Sequence, residues 1–473
     1  MSNTNQSNQG PTMEQESAVT RFFRATELDT RLLGMVVAML VIWCGFDIYM
    51  RLFGSIGYDS DGLMPWHGSF ITPRNLWNLL NQTSSIAIMS TGMMLLIVMR
   101  QLDLSVGSML STIAVTVGVL QVFHLGPDLG IGNPFIWVIA VAAALALGTG
   151  IGAVNGTLTA YAKIPAFIVT LGGLIAYGGI AWWVIKGETV APMDTTFELI
   201  GGNVPQYSLG TMWSWIVALV AIAGVIYGLY AGRHNRQRFN FPLRPMWAEC
   251  FLGGLAAVVM IAMTWVVTSY PWPFGVITQW ATDHKIAIPP GEMDRDGNAA
   301  CMAGDQIVHC TTGLIYYTGY SIPFLLALAV GLTMTYLAGR TAFGRHVYAT
   351  GGNPEAAELS GINTKWLTVK VFMLMGFLVG VSAIVTSARL NAATNSLGQF
   401  NELYVIAAVV IGGTSLAGGL GTIYGAMLGA LLMQSLQSGM TLLNFESAVR
   451  DVVVGIVLVT AVFVDQVYRR RLK

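Results

Sequence analysis

Residues 341–365, TAFGRHVYATGGNPEAAELSGINTK, form a polar, glycine-punctuated island between two apolar runs at 322–337 and 367–387. Apolar runs of nearly 20 residues are long enough to cross ~30 Å of hydrocarbon, so the island reads as a link between two membrane spans. Inside it a short helix is marked at both ends. Asn353 is a preferred N-cap, Pro354 suits the first helical position, Glu355 favours the positive end of the helix dipole, and Gly361 accommodates a left-handed C-terminal residue. The expected helix, 354–360, is about 10 Å long at ~1.5 Å per residue. Fewer than ~12 residues do not offset the cost of helix nucleation in water. The helix therefore needs a docking surface, in its own chain or another, and the small Ala356 and Ala357 with the single Leu359 let a partner approach closely.

Outward from this island the chain remains apolar. Of its 473 residues 54% are hydrophobic and only 10% charged, against about 25% charged in ordinary soluble proteins. Further runs at 32–50, 76–98, 106–123, 135–158, 166–185, 212–230, 247–267, 423–436 and 452–467 reach or approach crossing length, and 403–411 is half as long. The expected fold is all-α, a polytopic transmembrane helical bundle of about 10–12 spans, short or broken ones included. Residues 1–30 read as a disordered polar tail without the basic start and apolar core of a signal peptide, 31–468 as the membrane body, and 469–473 as a basic end. The thirteen tryptophans, Trp137, Trp182, Trp183 and Trp215 among them, fit interfacial belts.

The 24 basic and 24 acidic residues cancel, so position carries the information. With the N-terminus inside and the half-length segment counted as a crossing, seventeen of the 24 basic residues fall on the inner side. Both termini and the 341–365 island are then cytoplasmic, and the 269–319 loop is periplasmic.

Two Gly/Ser-rich interruptions stand at similar places in the two halves, QLDLSVGS at 101–108 and GGTSLAGGLG at 412–421. Irregular backbone at membrane depth survives only where it lines a cavity or is buried in protein, so paired breaks point to a pathway and suggest an internal two-fold repeat. The alternative is that the glycines only permit close helix packing. The candidate path residues are Asp103, Ser105, Asn155, Thr170, Glu402, Gly412 and Thr414. Asp103 can cap the helix beginning at Ser105 or contact a solute directly. Asn155, Thr170 and Glu402 can equally be satisfied hydrogen-bonding groups between helices.

Cys44 and Cys250 lie in or beside apolar runs and read as inert, whereas Cys301 and Cys310 share the polar loop and can form a disulfide on an oxidising side. Glu292, Asp294, Asp296 and Gly297 copy the first half of a calcium loop, but Ala303 stands where the bidentate Glu belongs, so no metal is expected. The six His and four Cys are too dispersed for a catalytic or zinc centre. No Gly-Lys pair exists, hence no P-loop; if ATP drives this chain, another subunit binds it.

Four strings carry a resemblance: LDLSVGS at 102–108, VNGTLTAYAKIPAFIVTLGG at 154–173, TAFGRHVYATGGNPEAAELSGIN at 341–363 and VIGGTSLAGGLGTIYGAMLGA at 410–430. In order and across both halves, they resemble the permease subunits of bacterial sugar ABC importers, and within them the D-xylose branch. The resemblance implies an inner-membrane permease homodimer with cytoplasmic ATPase subunits, which use the ATP and Mg, and a periplasmic sugar-binding protein; it implies no cofactor on this chain, no nucleic acid and no catalytic residue. It assigns Glu355, Ala356, Ala357 and Gly361 to a coupling pattern that docks into the ATPase, with Arg345 and Asn353 beside them. Gln101-Leu102 departs from the commoner Gly-Ile before Asp-Leu-Ser, and the 269–319 loop is unusually long, which leaves open how the binding protein docks. The rival class is a secondary sugar transporter, which calls for ion-coupling carboxylates in mid-span; Asp103, Glu402 and Asp465 instead lie near segment ends in the sequence.

Overall fold

The computed structural model describes residues 22, 25–27, 30–53, 70–202, 207–272, 300–303, 306–309 and 316–472. Long apolar helices dominate: α1 (Thr30–Phe53), α2 (Pro73–Val98), α3 (Val106–Leu129), α4 (Pro134–Ala160) and α5 (Ala166–Ile185). A short α6 (Thr195–Gly201) precedes the hairpin of α7 (Gly210–Arg238) and α8 (Met246–Thr268). Strands β1 (Ala300–Ala303) and β2 (Gln306–His309) pair antiparallel, with Cys301 opposite Val308. Then come α9 (Ile322–Arg340), α10 (Ala342–Gly352), α11 (Pro354–Leu359), α12 (Thr364–Leu390), α13 (Asn401–Ile411), α14 (Ile423–Leu442) and α15 (Ser447–Leu472).

Nine helices among the described residues are long and apolar enough to cross a membrane, which makes the fold an all-α polytopic bundle. The helix α14 is 20 residues long and stands outside that set by composition rather than length. The polar side chains of α14 are used between helices: Gln434 Nε2 donates to Gln82 Oε1 at 2.9 Å and Ser438 Oγ to Asn75 Oδ1 at 3.0 Å.

At the centre stand α2 and α12, enclosed along nearly their whole length, while α1, α7 and α8 expose broad apolar faces. Such faces suit hydrocarbon, since the backbone groups behind them are satisfied within each helix. The α4–α12 contact is built on a stripe of small residues. Ala140, Ala144, Gly148, Gly152 and Gly156 recur every fourth residue on the buried face of α4. A Cβ on Gly152 would strike the Phe372 carbonyl of α12, so only glycine admits this approach.

Several expected loops are more ordered than the sequence suggested. HLGPDLG continues α3 through a π-helical turn, Leu120–Leu125, and a last turn, Gly126–Leu129. The 186–209 loop contains α6, whose N-cap Asp194 accepts from Thr196 N at 2.9 Å and from Gly132 N at 2.7 Å, while Phe197 is fully buried. Two turns beyond the expected sixth span are helical, because α7 continues into the basic connector. Within the expected 1–30 tail, the Phe22 ring packs against Trp247 and Phe251, and Glu27 bonds Arg236 and Arg244. Cys44 and Cys250 are free. Cys310, and with it the disulfide expectation, lies outside the described residues, as do residues 292–299 of the calcium-loop likeness.

Candidate functional site

The first break follows α2. Arg100 takes a left-handed backbone, φ 61°, and turns the chain inward, and α3 starts only at Val106. The link is fixed by Asp103, which is fully buried: its Oδ1 accepts from Ser105 N at 2.8 Å and Ser105 Oγ at 2.6 Å. This is the local side-chain-to-backbone turn that aspartate favours. Asn155 of α4 donates to Ser105 Oγ at 3.1 Å, and Tyr177 of α5 donates to Asn155 Oδ1 at 2.7 Å. Thr170 of α5 bonds Ala166 O at 2.9 Å and reaches Leu102 O at 3.4 Å. Three of the seven expected path residues, Asp103, Ser105 and Asn155, thus form one buried hydrogen-bonded cluster where α3, α4 and α5 meet, and Thr170 lies beside it at Leu102. Asp103 Oδ2 has no partner among the described residues.

Glu402, buried at the start of α13, packs on Gly107 near the start of α3, and Gly398 N donates to Ser111 Oγ at 2.9 Å. A Cβ on Gly107 would meet the Glu402 carboxylate and the Gly398 carbonyl. Gly412 ends α13 against Gly425 of α14.

The second break, 412–421, is shaped by Gly413, Gly418 and Gly419 at φ 85°, 87° and 76°, values L side chains rarely adopt. It closes onto the end of α2, where Gly419 N donates to Val98 O at 2.9 Å. The two breaks therefore meet through residues 98–100. Thr414 and Ser415 are buried here, and their hydroxyls, like that of Thr350 in α10, have no partner among the described residues. A cavity of about 270 Å³ opens beside the loop, lined by Tyr348, Gly412, Leu420 and Thr422 together with Leu32 and Met35 of α1.

The 341–365 island is two helices rather than one. The longer, α10, was not expected, because its Gly351-Gly352 ending and polar residues read as loop; Thr341 caps it by accepting from Gly344 N at 3.3 Å. Its buried face carries Gly344, Val347, Thr350 and Gly351, and a Cβ on Gly351 would strike the Val98 carbonyl. Arg345 is exposed. The short α11 has the expected caps: Asn353 Oδ1 accepts from Ala356 N at 3.1 Å, and Gly361 sits at φ 85°. It ends at Leu359, one residue earlier than expected. Ala357 packs inward, while Glu355, Ala356 and Leu359 face out, Leu359 at 90% exposure.

Arg100 and Tyr348 join these parts, and sequence reasoning missed both roles. Arg100 Nε donates to Gly351 O at 2.9 Å and Nη2 to Gly352 O at 2.8 Å, satisfying the open carbonyls at the end of α10. Tyr348 OH donates to Gly421 O at 2.8 Å, and burial pushes its phenol up from the ordinary value, so it stays a neutral donor. In the sequence Arg100 is only a charge at the end of a span. Among the described residues no three His, Cys, Asp or Glu side chains are grouped to hold a metal ion.

The described residues thus form a helical membrane bundle with two buried helix breaks and an exposed, capped helix joined through α10 to one of them. The family model described as "Branched-chain amino acid transport system / permease component" matches residues 75–462, and the chain belongs to that family. It is 33% identical over 404 residues to the xylose transport system permease protein XylH of Escherichia coli (strain K12), covering 85% of this chain and 88% of the relative. The XylH protein of Haemophilus influenzae is 32% identical over 406 residues, 86% of this chain and 92% of the relative. The ribose import permease protein RbsC of Escherichia coli (strain K12) is 30% identical over 397 residues, 84% and 87% of the two chains. No solved structure matches.

Proposed function

We propose that this chain is the membrane-spanning subunit of an ATP-driven monosaccharide importer, carrying xylose or a related pentose by alternating access. The observation that carries the reading is the exposed α11, held through α10 against the 412–421 break. A load applied at Glu355, Ala356 and Leu359 reaches that break through packed backbone rather than through a flexible loop. The relatives named for xylose and ribose transport supply the substrate class. In this reading the permease works as a homodimer in the bacterial inner membrane, with both termini and α11 cytoplasmic, and the loop between α8 and α9 periplasmic. Cytoplasmic ATPase subunits dock on α11 and bind the ATP and Mg; a periplasmic sugar-binding protein delivers the sugar. The polar path runs past the Asp103, Ser105 and Asn155 cluster, Thr170, Glu402, and the Gly412 and Thr414 break.

The test is uptake of labelled xylose into proteoliposomes holding this chain, its ATPase and its binding protein. Accumulation that needs both ATP and the binding protein is expected. Uptake driven by an ion gradient without ATP overturns the reading in favour of secondary transport, for which the buried Asp103 carboxylate would be the coupling group.

A further inference from the structure

Arg100 occupies an unusual mechanical position. Its backbone continues directly from the central helix α2, and its guanidinium closes the end of α10 through two carbonyls. Its side chain also lies over Gly418: a Cβ there would sit 2.5 Å from Arg100 Cγ and 2.9 Å from Nε. Together with Gly419 N to Val98 O and Tyr348 OH to Gly421 O, at 2.9 and 2.8 Å, this joins three separate segments, the end of α2, the end of α10 and the second break. A planar guanidinium holding two carbonyls is stiff in a way that an ammonium is not. The buried hydroxyls of Thr350, Thr414 and Ser415, which have no partner among the described residues, lie on the same α10 and 412–421 segments.

We propose that Arg100 is a positioning residue for transport: it transmits movement of the α10–α11 unit into the 412–421 break and the end of α2. The inference rests on the importer reading above. It adds a specific element, a rigid guanidinium link outside the docking helix, without which the docked partner turns over but the path does not respond. The link acts between the helix that receives the load and the loop that borders the cavity, and it touches neither nucleotide nor sugar.

The experiment uses the reconstituted complex and measures ATP hydrolysis and xylose uptake on the same preparation, after the wild-type chain has shown ATP-dependent uptake. Failure of the wild type at that stage overturns the importer reading and not the link. In R100A uptake is expected to fall about tenfold or more while hydrolysis stays within about twofold, so the ATP used per sugar rises. R100K, a point charge without the two-pronged geometry, restores part of the coupling. If R100A does not fold, Y348F removes a single hydroxyl from the same joint and raises the ATP-to-sugar ratio about threefold, as loss of one hydrogen bond predicts. Parallel loss of hydrolysis and uptake, or unchanged values of both, overturns the proposal.

Discussion

Gly148 of α4 and Gly376 of α12 meet backbone to backbone: a Cβ on either would run into the other's carbonyl oxygen. The obstacle is main chain and cannot rotate aside. In a membrane, where lipid is as apolar as leucine, such close approach replaces the hydrophobic drive that packs soluble helices.

Gly376→Ala is therefore destabilising although alanine is the better helix former. The helical gain is at most about 1 kcal/mol, and forced separation of packed elements costs about 1–3 kcal/mol. Thermal unfolding in detergent should show a lower midpoint. Gly380→Ala, whose Cβ would stand 2.9 Å from Ala144 O, should lower it less. A midpoint at or above wild type for Gly376→Ala would refute the contact.

The Tyr177–Asn155–Ser105–Asp103 chain predicts non-additive losses. Asn155→Ala should cost about 1–2 kcal/mol and Tyr177→Phe about 0.6 kcal/mol, the range for hydrogen bonds between membrane helices. The double variant should be no worse than Asn155→Ala by itself, since the phenol has already lost its acceptor. Unfolding of the four proteins of this cycle measures the coupling, and simple additivity would show the residues to be independent.

On α11, Gly361→Ala meets open space but must hold φ 85°, so only backbone strain of about 1 kcal/mol opposes it. Glu355→Ala leaves the fold alone, as Glu355 is exposed. Both variants should express and fold yet separate ATP hydrolysis from uptake. Wild-type uptake by the two would remove α11 from the coupling role.

Glu27 gives a pH signature. Hydrogen bonds from Arg236 and Arg244 lower its carboxyl from 4.5 to about 2. A carboxylate whose folded pKa is depressed contributes stability above its unfolded pKa and loses it as pH falls through the folded one. The stability advantage of wild type over Glu27→Gln should thus be full above pH 4.5 and disappear towards pH 2. With Glu27 43% exposed the effect is modest and shrinks in high salt. An advantage that persists at pH 2 would contradict it.

Much of the bundle was legible because hydrocarbon enforces length and apolarity: the fifth span was expected at 166–185 and is observed at Ala166–Ile185. The caps of α11 were legible because Asn353 and Gly361 act within a few residues of themselves. The helix α10 was not, since its packing face is three turns of small and polar residues whose partner, Val98, lies some 250 positions away. Asp103, Ser105, Asn155 and Thr170 were each recognisable as polar groups in apolar surroundings, but nothing in their spacing said that the first three are hydrogen-bonded together or that Thr170 reaches Leu102.

The sequence by itself determined that this is a many-span membrane chain, where its helices break, and that a capped helix lies between two spans, because those properties depend on composition and on contacts within a turn. Only the tertiary structure decided that the two breaks meet at residues 98–100, that Arg100 closes the end of α10, and that Tyr348 holds Gly421. These bonds end on backbone carbonyls, which every residue carries, so no side-chain pattern in the sequence could encode the partner.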